Sequence, residues 1–263
     1  MTSDAKPLVI CAPEPRTLEL IFTSDKLVEL RDRYDLVETS AEAVAGLDPD
    51  VLGAARYVLG QPPIPSQALG RMTNLRAILN VESNLIDNMP YDEVFRRGIH
   101  VLTTGAVFAV PVAEIGLGFA LDLARGITNT DLSFREGREL WGGDGNASAR
   151  LLTGAEVGII GFGDLGKALN RLLTGFRCNL RVHDPWLPPS ILEDHLVTPA
   201  SLHEVLSASD FVFVMSSVTT ENRGALGAEE FARMRPGAAF ILLSRADVVD
   251  FDALPDAAER GPP

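Results

Sequence analysis

Short apolar runs in the first part of the chain alternate with polar segments of helical length. The runs lie at residues 8–11 (LVIC), 55–60 (ARYVLG), 75–81 (LRAILNV) and 98–103 (GIHVLT). Strands of a parallel sheet are covered on both faces and therefore show continuous apolar runs, and the polar segments between them fit helical crossovers. The pattern predicts an α/β domain over residues 1–104.

The second part of the chain shows the same alternation around the runs 157–160 (VGII), 209–217 (SDFVFVMSS) and 238–245 (AAFILLSR). A helical pattern from Val110 to Arg125 precedes these runs. Pro111 falls in its first turn, where a backbone N–H has no helical partner and proline is tolerated. We therefore expect a connector helix and a second α/β domain, over residues 105–263.

Charge and composition argue against several classes of protein. The 263 residues include 36 acidic and 23 basic side chains, a net charge of -13, which repels nucleic acid and anionic membranes. The long apolar stretch 106–124 contains Glu114 and Asp122, which are costly in hydrocarbon. Cys11 and Cys178 form no CxxC pair, and no secretory signal is visible. We expect a cytoplasmic protein without a membrane segment, nucleic-acid partner or metal site.

Three glycines follow the apolar run at 157–160, in the segment GIIGFGDLG. At such a strand-to-helix junction, Gly161 permits a tight turn and Gly163 lets a pyrophosphate approach the backbone. Gly166 allows the following helix to pack closely on its strand. The helix N-terminus then faces the anion. We expect Asp164, at the start of this helix, to cap backbone amides while pointing outward.

A second predicted strand ends at Asp184, at the spacing expected for the acid that accepts hydrogen bonds from a ribose. A carboxylate there repels a 2′-phosphate, and no Lys or Arg follows it in HDPWLPP. These features favour NAD, although Arg181 leaves NADP open.

Ser216 and Arg245 follow two further predicted strands. Ligands of parallel sheets lie beyond the carboxyl ends of the strands, so both residues are candidates for binding. Arg245 has two interpretations. Its guanidinium could bind two oxygens of a substrate and polarise a carbonyl, or it could pair with a nearby carboxylate such as Asp247.

The order of these motifs resembles the D-isomer-specific 2-hydroxyacid dehydrogenases, over roughly residues 70–254. The matching segments are VAEIGLGFALDLAR, GIIGFGDLG, HDP, SDFVFV and LLSRADVVDFDAL. The resemblance implies a Rossmann-type doubly wound parallel sheet that binds NAD, over residues 105–263, and a second, flavodoxin-like α/β substrate domain, over residues 1–104. It also implies hydride transfer between NAD and a 2-hydroxy or 2-oxo acid. We further expect a homodimer.

The resemblance also implies roles for individual residues. Arg245 would hold the carbonyl and carboxylate of the substrate. Asp164 and Leu165 would contact the pyrophosphate through their backbone, and Asp184 the adenine ribose. The full set of residues that we expect at the cofactor is Gly161, Gly163, Asp164, Leu165, Gly166, Asp184, Ser216 and Leu243.

Several positions depart from the family pattern. Asn80 and Glu82 stand at the glycine positions of the loop that receives the substrate carboxylate, and Glu82 would repel an anion there. Met215, Ser216 and Ser217 replace the usual His-x-Pro segment. The glycine after the arginine is Ala246.

The family's proton donor is a histidine assisted by a glutamate, and both lie C-terminal to the arginine, in segments that this sequence does not contain. Reduction of a carbonyl requires a proton as well as a hydride. No replacement is evident among the four histidines of the chain, which are His100, His183, His195 and His203. We expect a truncated chain that is inactive or impaired.

Two functions remain open at this point. The first is an NAD-dependent 2-hydroxyacid dehydrogenase whose chain stops before its acid. The second is an NAD-binding regulatory or interaction protein that keeps the fold without catalysis.

Overall fold

A computed structural model describes residues 6–82, 85–219 and 221–254 of the chain. The chain divides into two compact units, Met1–Gly105 and Ala106–Pro263. Each unit contains one sheet of five strands.

Unit 1 is built on a parallel sheet with the strand order β2-β1-β3-β4-β5. Its elements are β1 (Leu8–Ala12), α1 (Leu18–Ile21), α2 (Ser24–Arg33), β2 (Asp35–Glu38), α3 (Pro49–Ala54), β3 (Ala55–Gly60), α4 (Ser66–Arg71), β4 (Ala77–Leu79), α5 (Tyr91–Arg96) and β5 (His100–Leu102). Successive side chains of a strand point to opposite faces. Ile10 and Val58 thus join one apolar cluster, and Val9 and Leu59 join another. The strand order is that of flavodoxin-like folds.

Unit 2 is built on a second parallel sheet, with the strand order β10-β9-β6-β7-β8. Its elements are α6 (Gly105–Arg125), α7 (Ile127–Arg135), β6 (Glu156–Ile160), α8 (Asp164–Leu173), β7 (Asn179–His183), α9 (Pro189–Asp194), β8 (Thr198–Pro199), α10 (Leu202–Ala208), β9 (Phe211–Val214), α11 (Ala228–Arg233) and β10 (Ala239–Leu242). The core strands β6 and β9 are almost wholly buried. This is the strand order of Rossmann folds, so the predicted fold class is confirmed.

Helix α6 differs from its prediction at the N-terminal end. It begins at Gly105 rather than Val110, so Pro111 lies inside the helix and not in its first turn. A proline at this position cannot donate to the carbonyl of Val107. Val107 is exposed, so water can replace the missing donor and the helix continues through the proline.

One face of α6 packs on the unit 2 core and the other is exposed and apolar. Ala109, Ala113, Ala120 and Ala124 are buried in the core cluster. The exposed face contains large apolar side chains, which are Val107, Val110, Ile115, Phe119 and Leu123. Among the described helices, α6 is long and apolar enough to cross a bilayer, with a mean hydropathy of 1.8. That is weak evidence for a membrane span, because the alanine stripe already packs against protein.

Candidate functional site

The predicted site residues of unit 2 fall at the carboxyl edge of its sheet. Gly161 follows β6, Asp184 follows β7 and Ser216 follows β9. The next strand along the chain, β7, pairs with one side of β6, and β9 pairs with its other side. The strand order therefore reverses at β6. Ligands of such sheets bind where the strand order reverses in this way.

Gly161 can only be glycine in this turn. Its φ is +90°, a conformation that L side chains rarely adopt. A Cβ at this position would lie 2.5 Å from the Cα of Ser216 and 2.9 Å from the carbonyl carbon of Met215. Its own N–H donates to the carbonyl oxygen of His183 at 2.9 Å. The turn is therefore held between the ends of β7 and β9.

The other two glycines of the fingerprint have different surroundings. A Cβ at Gly166 would lie 2.6 Å from the carbonyl oxygen of Gly161, so the close packing predicted for this glycine is confirmed. Gly163 is the N-cap residue of α8 and is exposed. A Cβ at Gly163 would meet no atom within 4 Å. The fold therefore requires glycine at 161 and 166, and leaves open space over Gly163.

Asp164 does not have the capping role predicted for its side chain. It is the first residue of α8 and is exposed. In the described part of the chain, its carboxylate has no hydrogen bond to the helix amides. The next residue, Leu165, packs against the unit 2 core.

Asp184 fixes the glycine turn through hydrogen bonds that the sequence did not reveal. Its Oδ2 accepts the backbone N–H of Phe162 at 2.7 Å. Its Oδ1 accepts the N–H of Trp186 at 3.0 Å. The carboxylate therefore holds the middle of the turn, and it faces the edge at which the turn lies.

Ser216 carries a buried hydroxyl beside the turn. Its Oγ has no hydrogen-bond partner among the described residues, and an unpaired buried hydroxyl is costly. Its backbone is the closest neighbour of Gly161 across the sheet. An orphaned polar atom, open space over Gly163 and a carboxylate on the turn together fit a dinucleotide at this edge.

Leu243 and Arg245 follow β10 at the same edge. Leu243 donates its N–H to the carbonyl oxygen of Val214 at 3.0 Å. Arg245 is exposed, in the extended residue that precedes a 3-10 turn over Ala246–Val248. Nearby, the carboxylate of Asp247 accepts a bond from Arg223 Nη1 at 2.5 Å.

An open groove of about 360 Å³ lies beside Asp184, between the ends of β7 and β8 and the start of α10. Its apolar lining includes Leu187 and Leu192. Glu204 stands at its rim, and bonds from the backbone N–H and the hydroxyl of Ser201 hold the pKa of its carboxyl below the usual range. The groove therefore combines an apolar floor with an anionic rim.

In unit 1, Glu82 has a partner that the sequence did not suggest. Arg16 Nε donates to Glu82 Oε1 at 3.0 Å, across a sequence separation of 66 residues. The ion pair joins the segments that follow β1 and β4. The repulsion expected between Glu82 and an anion is therefore reduced, because a guanidinium offsets the negative charge.

The histidines have surroundings typical of packing or surface residues. His183 Nδ1 lies 3.2 Å from the carbonyl oxygen of Ala200. His195 packs edge-on against Phe162, with 5.5 Å between ring centroids. His100 and His203 are exposed.

Sequence reasoning missed two contacts of unit 2, one at this edge and one inside β6. Phe162, fully buried, supplies the N–H that Asp184 accepts. Gly158, inside β6, allows close approach of α10, since a Cβ there would lie 2.6 Å from Val205 Cγ1 and from Ser209 Oγ. An isolated glycine within a strand was the available signal for this second contact.

Comparisons with known proteins agree with this geometry. The family model described as "D-isomer specific 2-hydroxyacid dehydrogenase, NAD binding domain" matches residues 117–262. The crystal structure of a phosphoglycerate oxidoreductase from Rhizobium etli is similar, with 62% identity and a TM-score of 0.84, over 97% of this chain and 77% of that one.

Two curated relatives are similar at lower identity. A glyoxylate reductase of Thermococcus gammatolerans is 30% identical, over 75% of this chain and 60% of its own length. A hydroxypyruvate reductase of Thermotoga maritima is 29% identical, over 72% of this chain and 59% of its own length. The match therefore spans about three fifths of these two relatives.

The family model covers more than half of the chain, and its match includes the glycine turn, Asp184, Ser216 and the strand that leads to Arg245. The cofactor of the matched domain is NAD. This chain belongs to the D-isomer-specific 2-hydroxyacid dehydrogenase family.

Proposed function

We propose that this chain is an NAD-dependent oxidoreductase that transfers hydride between NAD and a 2-hydroxy or 2-oxo acid. The observation that carries the proposal is the turn after β6. Gly161 is wedged against Ser216, the Phe162 amide is held by Asp184, and the space over Gly163 is open. In the same proposal, unit 1 is the substrate domain, over residues 1–104, and residues 105–263 form the NAD-binding domain.

The proposed roles of the cofactor residues follow from their places at this edge. The backbone of Asp164 and Leu165, at the start of α8, contacts the pyrophosphate, because helix N-terminal amides bind anions. Asp184 accepts from the adenine ribose, and the apolar groove beside it accommodates the adenine. Ser216 and Leu243 lie along the rest of the cofactor. When bound, the nicotinamide would carry the hydride, donated as NADH to a 2-oxo acid or accepted by NAD+ from a 2-hydroxy acid.

Arg245 is the proposed substrate residue. Its exposed position beyond β10, at the carboxyl edge of the sheet, supports a ligand-binding role for it. A guanidinium offers two parallel donors to a carboxylate and stabilises negative charge on a carbonyl oxygen. Arg245→Gln should therefore abolish 2-oxo acid binding and leave NADH affinity nearly unchanged.

The proton donor is not among the four histidines of this sequence. His183 and His195 are engaged in the packing of unit 2, and His100 and His203 are exposed. We therefore propose that the 263-residue chain assayed alone binds its ligands with impaired turnover.

The test is a fluorescence titration of the full chain with NADH and with NADPH, followed by turnover assays with glyoxylate, hydroxypyruvate and 3-phosphoglycerate. These probes are suggested by the names of the relatives. Saturable NADH binding, about ten-fold or more tighter than NADPH binding, is expected. Absence of NADH binding would remove the proposal. Turnover equal to that of the Rhizobium etli protein, measured in the same assay, would contradict the proposed impairment of turnover and leave the proposed activity standing.

A second candidate is an NAD-binding regulatory or interaction protein, and the packing of His183 and His195 within unit 2 favours it. Glyoxylate added to the NADH-bound chain separates the two functions. Binding that is lost in Arg245→Gln supports the enzyme. Saturable NADH binding with no response to any of the three probes supports the regulator.

We also propose a cytoplasmic homodimer with no membrane span. Ile115, Phe119 and Leu123 form an exposed apolar row along α6, each about half exposed. Contiguous apolar surface of this kind is typical of interfaces, and a two-fold axis lets one helix face cover its copy. Sedimentation should give about twice the chain mass of 28.3 kDa. Phe119→Glu should give a folded monomer, and an unchanged dimer would exclude this face.

A further inference from the structure

A second cavity in unit 2 is lined by two arginines. Its volume is about 310 Å³, and its lining residues are Arg125, Asn146, Ala149, Arg150 and Leu151. Arg125 is the last residue of α6, and the others precede β6. None of these residues belongs to the nucleotide edge.

The two guanidinium groups at this cavity have no acidic partners among the described residues. Five other arginines of unit 2 pair with carboxylates, namely Arg135, Arg138, Arg181, Arg223 and Arg235. Within the described residues, neither Arg125 nor Arg150 has a carboxylate at ion-pair distance. Asp122, the nearest acid along α6, accepts instead from the N–H and hydroxyl of Thr128. In a chain of net charge -13, two uncompensated cations at one cavity indicate a site for an anion.

The position of Arg150 is fixed by its surroundings. Its guanidinium carbon lies 4.5 Å from the ring centroid of Phe211, a cation–π contact. Its backbone N–H donates to the carbonyl oxygen of Ala124 at 2.8 Å, which joins this residue to the end of α6. Asn146 is also held, because its Nδ2 donates to the carbonyl oxygen of Gly142 at 3.1 Å. Little side-chain freedom of Arg150 remains to be lost on binding.

The cavity lies at the opposite end of the sheet from the glycine turn. Phe211, under Arg150, is the first residue of β9, whereas Ser216 lies two residues past the last residue of that strand. Five strand steps separate these residues by roughly 16 Å. A ligand at the arginines would therefore leave the nucleotide edge unobstructed.

We propose that Arg125 and Arg150 form a binding site for a phosphoryl group. Each guanidinium presents two parallel donors. A phosphate has enough oxygens to satisfy two such forks at once, whereas a carboxylate has only two oxygens. The volume admits a phosphate with its waters, or the phosphate end of a small phosphate ester. The proposal does not depend on the proposed enzymatic function.

Calorimetric titration of the full chain with inorganic phosphate, in 0.15 M NaCl and saturating NAD, tests the site. NAD keeps phosphate from the amides of the glycine turn. Saturable binding is expected in the unaltered chain. Arg125→Gln should weaken it by about ten-fold or more, and Arg171→Gln, an exposed arginine of α8, should not. A parallel titration with β-glycerophosphate distinguishes a phosphate ester from free phosphate as the ligand. Tighter binding of β-glycerophosphate identifies a phosphorylated metabolite, and tighter binding of inorganic phosphate identifies the free ion.

A second variant guards against loss of folding. Arg150→Lys keeps the charge and removes the fork, so phosphate binding should fall while NADH binding stays intact. Arg125 lies exposed at a helix end, so Arg125→Gln should fold normally. Absence of saturable binding in the unaltered chain, or equal binding in folded Arg125→Gln, would overturn the proposal.

Discussion

Gly163 offers a test that separates a glycine required by a ligand from a glycine required by the fold. Its φ of -71° lies outside the left-handed region that favours glycine, and a Cβ there meets nothing within 4 Å. Gly161 differs in both respects, with a φ of +90° and a Cβ that would lie 2.5 Å from the Cα of Ser216. The substitutions Gly163→Ala and Gly161→Ala should therefore have different effects on the free energy of unfolding.

The expected magnitudes follow from these surroundings. For Gly163→Ala, the lower entropy of the unfolded chain stabilises by ~0.4–1 kcal/mol, and the weaker N-cap of α8 costs a similar amount. The net change is within about 1 kcal/mol of zero. For Gly161→Ala, the left-handed backbone costs ~1–2 kcal/mol and the separation of β6 from β9 adds ~1–3 kcal/mol. Loss of ~2–5 kcal/mol is expected.

Gly163→Ala should weaken cofactor binding, although it should barely change the free energy of unfolding. The methyl group of Gly163→Ala would occupy the space through which the pyrophosphate approaches, so the Kd for NADH should rise about 10–100-fold, or ~1.4–2.7 kcal/mol. Urea unfolding without cofactor and NADH fluorescence titration measure the two quantities. Gly175→Ala is the matched control, because its Cβ also meets open space and it lies beyond the far end of α8. Unchanged NADH affinity in Gly163→Ala would refute this placement of the pyrophosphate.

Three further substitutions test other contacts. Asp184→Ala removes the acceptor for two backbone amides. It should lower the free energy of unfolding without cofactor by ~1–3 kcal/mol and weaken NADH binding. Weaker NADH binding with an unchanged free energy of unfolding would show that the turn does not need this carboxylate. Gly158→Ala should cost ~1–3 kcal/mol in urea unfolding through overpacking against α10. Ser209→Gly in the same chain should restore part of it, and an unchanged midpoint in the single variant would contradict the predicted clash. Burial raises the pKa of the Cys11 thiol from 9.0 to about 11. The protonated thiol is thus favoured in the folded state, and stability on the order of 2 kcal/mol, present below pH 9, should be lost as pH rises toward 11. Cys11→Ala should flatten this decline in urea midpoints between pH 8 and 11, and an identical decline in both proteins would contradict it.

The strands marked by an apolar run could be predicted from the sequence, and the edge strands β2 and β8 could not. Strands β6, β9 and β10 correspond to continuous apolar runs, and β6 and β9 are buried on both faces. Strand β2 (DLVE) has acidic ends and is only half-buried, so no apolar run marks it. Strand β8 has two residues, too few for any periodicity. These edge strands exist because a neighbouring strand supplies their hydrogen bonds.

The candidate site was predictable at positions where the backbone conformation or the packing admits a single residue type. The positive φ at Gly161 and the close contact at Gly166 admit only glycine, so these positions are visible in the sequence. Side-chain partners are less visible, because a carboxylate can accept from many donors. The pairing of Glu82 with Arg16 depends on two loops that meet only after folding. The outward position of Asp164 likewise depends on the direction in which its helix begins.

The two hydrogen bonds of Asp184 connect the shape of the turn with the choice of cofactor. Under the proposed function, this carboxylate accepts from the ribose while it already holds the Phe162 amide in place. Arg181, the cation that left NADP open, pairs with Glu156 at the start of β6, and so leans toward the amino end of the sheet. A 2′-phosphate would therefore meet a fixed negative charge with no nearby compensation from Arg181. Exchange of Asp184 for a cation would remove the acceptor that shapes the turn, so preference for NAD and the geometry of pyrophosphate binding are coupled at this residue.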